Sequence, residues 1–226
     1  MSYGYMIGSL PVSTVQRLPS YLRVVRDMQQ QGRGMVSSSR LAGMLGLEAV
    51  QVRKDFGFIG ITGMPKSGYQ VEELVLAMER CLCWNRVRDA VLVGVGHLGT
   101  ALLGYRGFKA HGLRICAAFD LDPALAGQVV GGVSVLPMAD LEAVLGRLQV
   151  PMAILTVAPE AAQEVALRLS GAGIEGIWNF TGRPLDLPPQ VIVQDQDIAT
   201  GLAVLSAKLS ARAQAPPGPV REEVPV

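Results

Sequence analysis

The chain has 226 residues, half of them hydrophobic, 17% charged and only 5% aromatic, which excludes a disordered segment and points to two compact units, or one plus an appendage, with cores of Val, Leu, Ile, Ala and Met as in α/β proteins with buried parallel sheets. The longest uncharged apolar run, Met152 to Pro159, is far below the roughly 18 residues of a membrane span, Met1 to Leu10 has no cationic start before an apolar core, and three cysteines make no disulfide framework, so a cytoplasmic protein is expected. The formal net charge of +1 hides an asymmetry, eight Lys/Arg against three acids in residues 1–70 and an acidic remainder, which suggests a front segment that meets a polyanion.

Val15, Leu18, Leu22, Val25 and Met28 recur at spacings of three and four and predict an amphipathic helix over 13–31 that ends at Gly32. Ser37, Ser38 and Ser39 offer N-caps to a second, two-turn helix broken at Gly46. A third helix is expected over 47–56, with Leu47, Val50, Val52 and Phe56 inward and Gln51, Arg53 and Lys54 mostly outward. Short helix, glycine turn and short basic helix form the helix-turn-helix pattern. Residues 57–71 mix glycines with β formers around Met64-Pro65 and predict two short strands, a wing. A helix over 72–83 leads to a joint near residue 85. Ser38, Ser39, Gln51, Arg53, Lys54 and Lys66 are the candidate DNA contacts, Arg and Gln being bidentate readers of guanine and adenine and the others phosphate partners.

Beyond the joint, short apolar runs alternate with amphipathic stretches, the sign of βαβ units and a parallel sheet. Strands are expected at 89–94, 114–120, 152–158, 176–180 and 191–194, and helices at 96–112, 139–148, 159–171 and 197–213. The fold class is therefore α/β: a winged helix-turn-helix domain (1–84), a Rossmann-type domain (85–196), a C-terminal helix (197–214) and a loose tail (215–226). The closing helix shows Ile198, Leu202, Leu205 and Leu209 as one apolar stripe, fit for its own sheet or for a partner, and a homodimer suits a helix-turn-helix that binds two half-sites.

Gly94-Val95-Gly96-His97-Leu98-Gly99 follows an apolar run and opens a helical one, the context in which Gly-x-Gly-x-x-Gly gains meaning. Gly94 turns the chain off the strand, Gly96 lets backbone approach a pyrophosphate, and Gly99 lets helix pack on sheet. Asp120 ends the next apolar run 21 residues after Gly99, near the place of the acid that accepts from a ribose 2′-hydroxyl and repels a 2′-phosphate. NAD(H) is the expected cofactor. His97 inside the loop and His111 at the solvent end of a helix are poor general acids, no lobe remains to hold a substrate, and Cys81-x-Cys83 has the wrong spacing for a metal or redox pair. Neither an enzyme nor a metal site is expected.

This combination resembles the Rex family of bacterial redox-sensing transcriptional repressors. The resemblance runs from about Val12 to Leu209 and is carried by Arg17-Leu18-Pro19-x-Tyr21-Leu22-Arg23, Ser38-x-x-Leu41-Ala42, Gln51-Val52-Arg53-Lys54-Asp55-Phe56, Gly68-Tyr69-x-Val71, the glycine loop, Tyr105-Arg106-Gly107-Phe108, Ala118-Phe119-Asp120-x-Asp122-Pro123 and Pro159-Glu160-Ala161-Ala162-Gln163. It implies a homodimer with NADH between its Rossmann domains, an exchanged C-terminal helix, and operator DNA released as NADH rises against NAD⁺. It also nominates Arg17, Tyr105 and Asp197 as a polar network near the nicotinamide, although on sequence alone Arg17 reads as a solvated helix residue and Asp197 as an N-cap. Met64-Pro65-Lys66-Ser67 stands where the family usually has a Lys-Arg-Gly run, and His97 where it usually has Asn. Two other readings compete. A small NAD-dependent oxidoreductase lacks a catalytic lobe here, and a CoA-binding Rossmann module, as in acyl-CoA ligases, gives Asp120 no obvious task.

Overall fold

The computed structural model describes residues 6–7 and 10–214, and these divide into two compact units, one of the chain up to Arg88 together with Arg106–Arg114, the other of Asp89–Tyr105 and the chain from Ile115 onward. The expected loose tail, 215–226, lies outside the described residues.

In the first unit an antiparallel pair, β1 (Met6–Ile7) and β2 (Leu10–Pro11), precedes α1 (Val12–Gln30). The period read from the sequence puts Leu18, Leu22, Val25 and Met28 on one buried face. After β3 (Met35–Val36), α2 (Ser38–Leu45) starts where the Ser37 hydroxyl accepts from Arg40 N at 3.2 Å and stops at Gly46, whose φ of 64° suits glycine. Then α3 (Ala49–Phe58) packs against it. Phe56 is the hub of the core, edge-on to Tyr21 at 5.3 Å and to Tyr69 at 4.9 Å, each contact contributing about 0.5–1.5 kcal/mol beyond burial. The structure corrects two expectations. Val50, read as inward, is 52% exposed, because at about 100° per residue it stands some 200° around the helix from the buried Val52 and so cannot share its face. The wing is a tight turn closed by one bridge between Met64 and Gly68, not a pair of strands. The helix uses residues as far as Phe58 and closes through Ile61 N to Phe56 O, so too little chain remains. The strand that follows, β4 (Tyr69–Gln70), pairs with β3 instead. Last comes α4 (Val71–Cys81).

The sheet of the second unit begins with β5 (Arg88–Val93), followed by α5 (His97–Leu103) and α6 (Gly107–Ala110). The predicted single helix over 96–112 is thus two, interrupted at residues 104–106, and the second falls within the first unit, where the His111 ring packs at a tilt against Trp84, centroids 4.2 Å apart. His111, expected at a solvent end, is half-buried, and burial followed by the charge of Arg26 lowers its pKa. The chain continues as β6 (Leu113–Asp120), β7 (Val129–Val130), β8 (Val133–Pro137), α7 (Leu141–Leu148), β9 (Met152–Leu155), α8 (Ala162–Gly171), β10 (Gly176–Asn179), β11 (Ile192–Asp195) and α9 (Ile198–Gln214). The β7–β8 hairpin was not expected from the sequence. The sheet runs β11-β10-β9-β5-β6-β8-β7, parallel except for β7. Counted from β5 without β7, that is the doubly wound order in which the first and fourth strands are neighbours and a crevice opens at their carboxyl ends. Val91, Val93, Phe119, Leu141, Ala153, Leu155 and Ala166 form its core.

Candidate nucleotide cleft and nucleic-acid interface

The glycine loop leaves β5 beside β9, at the point where the strand order reverses. Each glycine answers a different demand. At Gly94 φ is 97°, and a Cβ there would sit 2.7 Å from Thr156 C and Val157 N. At Gly99 a Cβ would lie 1.9 Å from Gly94 O, so α5 packs on the loop only because the side chain is absent. At Gly96 nothing stands within 4 Å of the position a Cβ would take. The first and third glycines fit protein against protein, and the second faces open space into which a ligand's phosphates can come close.

Asp120 ends β6 against this loop. Its Oδ2 accepts from Val95 N at 2.5 Å and its Oδ1 from Asp122 N at 2.8 Å. Each oxygen keeps a lone pair, so the carboxylate can brace the loop and still accept from a sugar hydroxyl. Thr156, which the sequence reading missed, donates from Oγ1 to Gly94 O at 2.7 Å and ties the loop to the strand end across the crevice. Val95 is buried, Leu98 half-buried and His97 exposed. Tyr105 is 54% exposed in the turn after α5. Asp197 caps α9, its carboxylate accepting from Ala199 N at 2.8 Å and Thr200 Oγ1 at 3.0 Å. On α9, Leu202, Leu205 and Leu209 are 54–66% exposed.

Arg17 has a partner that sequence reasoning did not foresee. It grips the fully buried Asp55 of α3 with both arms, Nε to Oδ2 at 2.7 Å and Nη2 to Oδ1 at 2.8 Å. Thr14 Oγ1 and Tyr21 Oη each add a bond at 2.8 Å, and Gln51 Nε2 one at 3.0 Å. Burial pushes the Asp55 carboxyl up, but the bonds from Arg17, Tyr21, Thr14 and Gln51 outweigh it and hold the carboxyl below its ordinary value. The same contacts raise the Arg17 guanidinium, while burial and then the bond to Asp55 push the Tyr21 phenol up. Arg17 is therefore not a solvated residue, and Gln51, read as outward, is half-buried with its amide on this cluster.

The outward face of α3 carries Arg53 and Lys54, both exposed, with Val50 and Phe58 beside them. Arg53 Nη1 reaches Ser38 Oγ at 3.3 Å, joining the start of α2 to α3, and Ser39 is exposed next to it. Ser37, Ser38, Arg53, Gly57, Met64 and Lys66 are among the residues around a groove of about 520 Å³ that runs between α2, α3 and the wing. Lys66 sits at the tip of the turn with φ 64°. The groove thus brings Ser38, Arg53 and Lys66 together, whereas Gln51 lies outside it.

Comparison with known proteins places both units. Residues 9–57 match the family described as a putative DNA-binding protein N-terminus and residues 85–182 the family described as a CoA binding domain. The chain is 43% identical over 199 residues to the redox-sensing transcriptional repressor Rex of Treponema denticola, covering 88% of this chain and 95% of that one. Two crystal structures of RSP, a Rex-family repressor, superpose on it. The complex with β-NAD⁺ and operator DNA gives a TM-score of 0.84 at 29% identity and covers 92% of this chain and 95% of that one. The complex with β-NADH gives 0.83 at 28% identity and covers 90% and 96%. Among the described residues no helix is long and apolar enough to cross a membrane. With a glycine loop braced by an acid, a cationic helix-turn-helix face and this likeness along nearly its whole length, the chain belongs to the Rex family of redox-sensing transcriptional repressors.

Proposed function

We propose that this chain is a cytoplasmic, homodimeric repressor that holds operator DNA through its first unit and lets go when NADH occupies the second. Residues 1–84 read DNA, 85–196 bind NAD(H), and 197–214 join the protomers. The observation that carries the reading is the open space over Gly96 beside an acid at the end of β6, in the same chain as an exposed Arg53-Lys54 face. Gly94, Val95, Gly96, His97, Leu98 and Gly99 cradle the pyrophosphate, and Asp120 accepts from the adenosine ribose. Ser38, Ser39, Gln51, Arg53, Lys54 and Lys66 hold phosphates and bases. Tyr105, Asp197 and Arg17 carry the redox signal between nicotinamide and reading head. The exposed leucines of α9 are the contact that a second protomer covers.

A ligand moves a two-state dimer only by its differential affinity for the two forms. A neutral dihydronicotinamide tolerates an apolar closed pocket, whereas the cationic oxidised ring loses solvation there. NADH therefore favours the form that does not match the operator, and NAD⁺ competes with it. The test is a titration of fluorescent operator duplex and full-length protein with each nucleotide in turn. Release by NADH at concentrations where NAD⁺ leaves the complex intact is expected, and equal loss of affinity at matched saturation refutes the scheme.

A further inference from the structure

Gln51 sits on the flank of α3. At about 100° per residue it lies some 40° from Asp55 on the buried side and some 60° from Lys54 on the outward side. Asp55 is fully buried and accepts five bonds, two of them from Arg17. An ionised carboxylate can only accept. The Gln51 amide must therefore turn its NH₂ toward Asp55, as the 3.0 Å bond shows, and its carbonyl, at the opposite corner of the amide plane, faces away from the cluster. A glutamine free in solvent flips to suit either a donor or an acceptor. This one has no such freedom.

We infer that Asp55 locks the Gln51 amide in one orientation, and that the pair makes one base position per recognition helix selective for a major-groove amino group, adenine N6 or cytosine N4. Guanine and thymine offer acceptors at the corresponding edge, and meet a carbonyl that cannot turn away. Asp55 is thus a positioning residue acting through Gln51, and Gln51 a specificity-determining one. The inference rests on the DNA-binding reading proposed above.

The test uses full-length protein and a pool of duplexes with a randomised central segment. The pool is enriched on the unaltered protein, and the enriched site is then remade as fluorescein-labelled duplexes with every base pair varied in turn. Anisotropy gives a preference at each position. One position in each half-site should favour adenine or cytosine by about ten-fold. Gln51→Ala should erase that preference alone, and Asp55→Asn, whose amide can meet either face of Gln51, should relax it at the same position. Tyr21→Phe removes one bond to Asp55 and should leave the profile unchanged, which a merely structural role for the cluster does not predict. A profile untouched by Gln51→Ala, or one weakened equally at all positions, overturns the inference. If Asp55→Asn does not fold, Gln51→Ala and Gln51→Met decide it. Should the unaltered protein enrich no sequence, the DNA-binding reading itself falls, an outcome separate from a sequence-specific protein indifferent to Gln51.

Discussion

Replacing the loop glycines one at a time by alanine separates what the loop does for the fold from what it does for a ligand. At Gly99 the new methyl would stand 1.9 Å from Gly94 O and 3.1 Å from Thr156 Oγ1. The first neighbour is backbone, itself held by Thr156 at 2.7 Å, so relief requires α5 to shift off the loop. Overpacking of this kind costs about 1–3 kcal/mol. Gly94→Ala combines a φ of 97° with contacts of 2.7 Å to the chain after β9 and belongs at the upper end of that range or beyond it. Gly96→Ala meets nothing within 4 Å, and its φ of −68° suits any residue. Only the weaker N-capping of alanine counts against it, about 1 kcal/mol or less. In thermal melts a loss of about 2–3 kcal/mol appears as roughly 4–12 °C for a chain of this size. Gly94→Ala and Gly99→Ala should therefore melt early, and Gly96→Ala within a few degrees of the unaltered protein. NADH titration should show the reverse emphasis, with Gly96→Ala folded yet at least ten-fold weaker because its methyl fills the approach to the pyrophosphate. A Gly96→Ala protein that binds NADH as tightly as the original would falsify the placement of the phosphates over this loop.

Asp55→Ala leaves the buried Thr14 and Tyr21 and the half-buried Arg17 without their shared acceptor and should cost about 3 kcal/mol, the low end for a broken buried pair because Arg17 still reaches water, read by chemical denaturation; a loss under 1 kcal/mol contradicts the role given to Asp55. Because the Asp55 carboxyl is held below its ordinary value, its contribution is complete above about pH 5 and is lost as pH falls through 4 and below. An Asp55→Asn protein should show a flatter acid limb in melts between pH 6 and 3. Lys54→Ala should weaken binding to all duplexes alike and lower the salt slope by about 0.9 for each phosphate the lysine no longer neutralises, checked by anisotropy between 50 and 200 mM salt; a change confined to one base position assigns Lys54 to the bases instead. Changing Leu202 and Leu205, both more than half exposed, to Asp should turn a dimer into a monomer in analytical ultracentrifugation, and an unaltered sedimentation coefficient removes α9 from the interface.

The glycine loop announces itself in the sequence because the positive φ at Gly94 and the contact of Gly99 with Gly94 O are local demands, and the spacing to Asp120 follows from the helical stretch and the one strand between them. Thr156 holds the same loop from 62 residues away, and nothing local marks it. The Asp55 cluster was hidden for the same reason, its partners Thr14, Arg17 and Tyr21 lying 34–41 residues off. A charged arginine on an amphipathic helix reads as solvated until its acid is seen. Gln51 shows the limit of residue type as a guide, since its chemistry suits a base edge while half of that chemistry is already engaged. The β7–β8 hairpin escaped because its first strand has two residues, too short for alternation to register. Helix α3 runs two residues past the expected end at Phe56, through Gly57 to Phe58, and the chain turns away at Gly60 with φ 79°.

The polypeptide crosses from one unit to the other three times, after residues 88, 105 and 114. No single cut yields a complete reading head. A fragment ending at Arg88 abandons His111, on which the indole of Trp84 rests, and Gly112, whose carbonyl accepts from Arg88 N at 2.8 Å and whose Cα fits against Arg86 O with no room for a methyl. Anyone grafting a foreign operator preference onto this sensor by chimera must transplant residues 106–114, which hold α6 and the first residues of β6, along with the front segment, and lineages that shuffled such modules by recombination would have faced the same constraint.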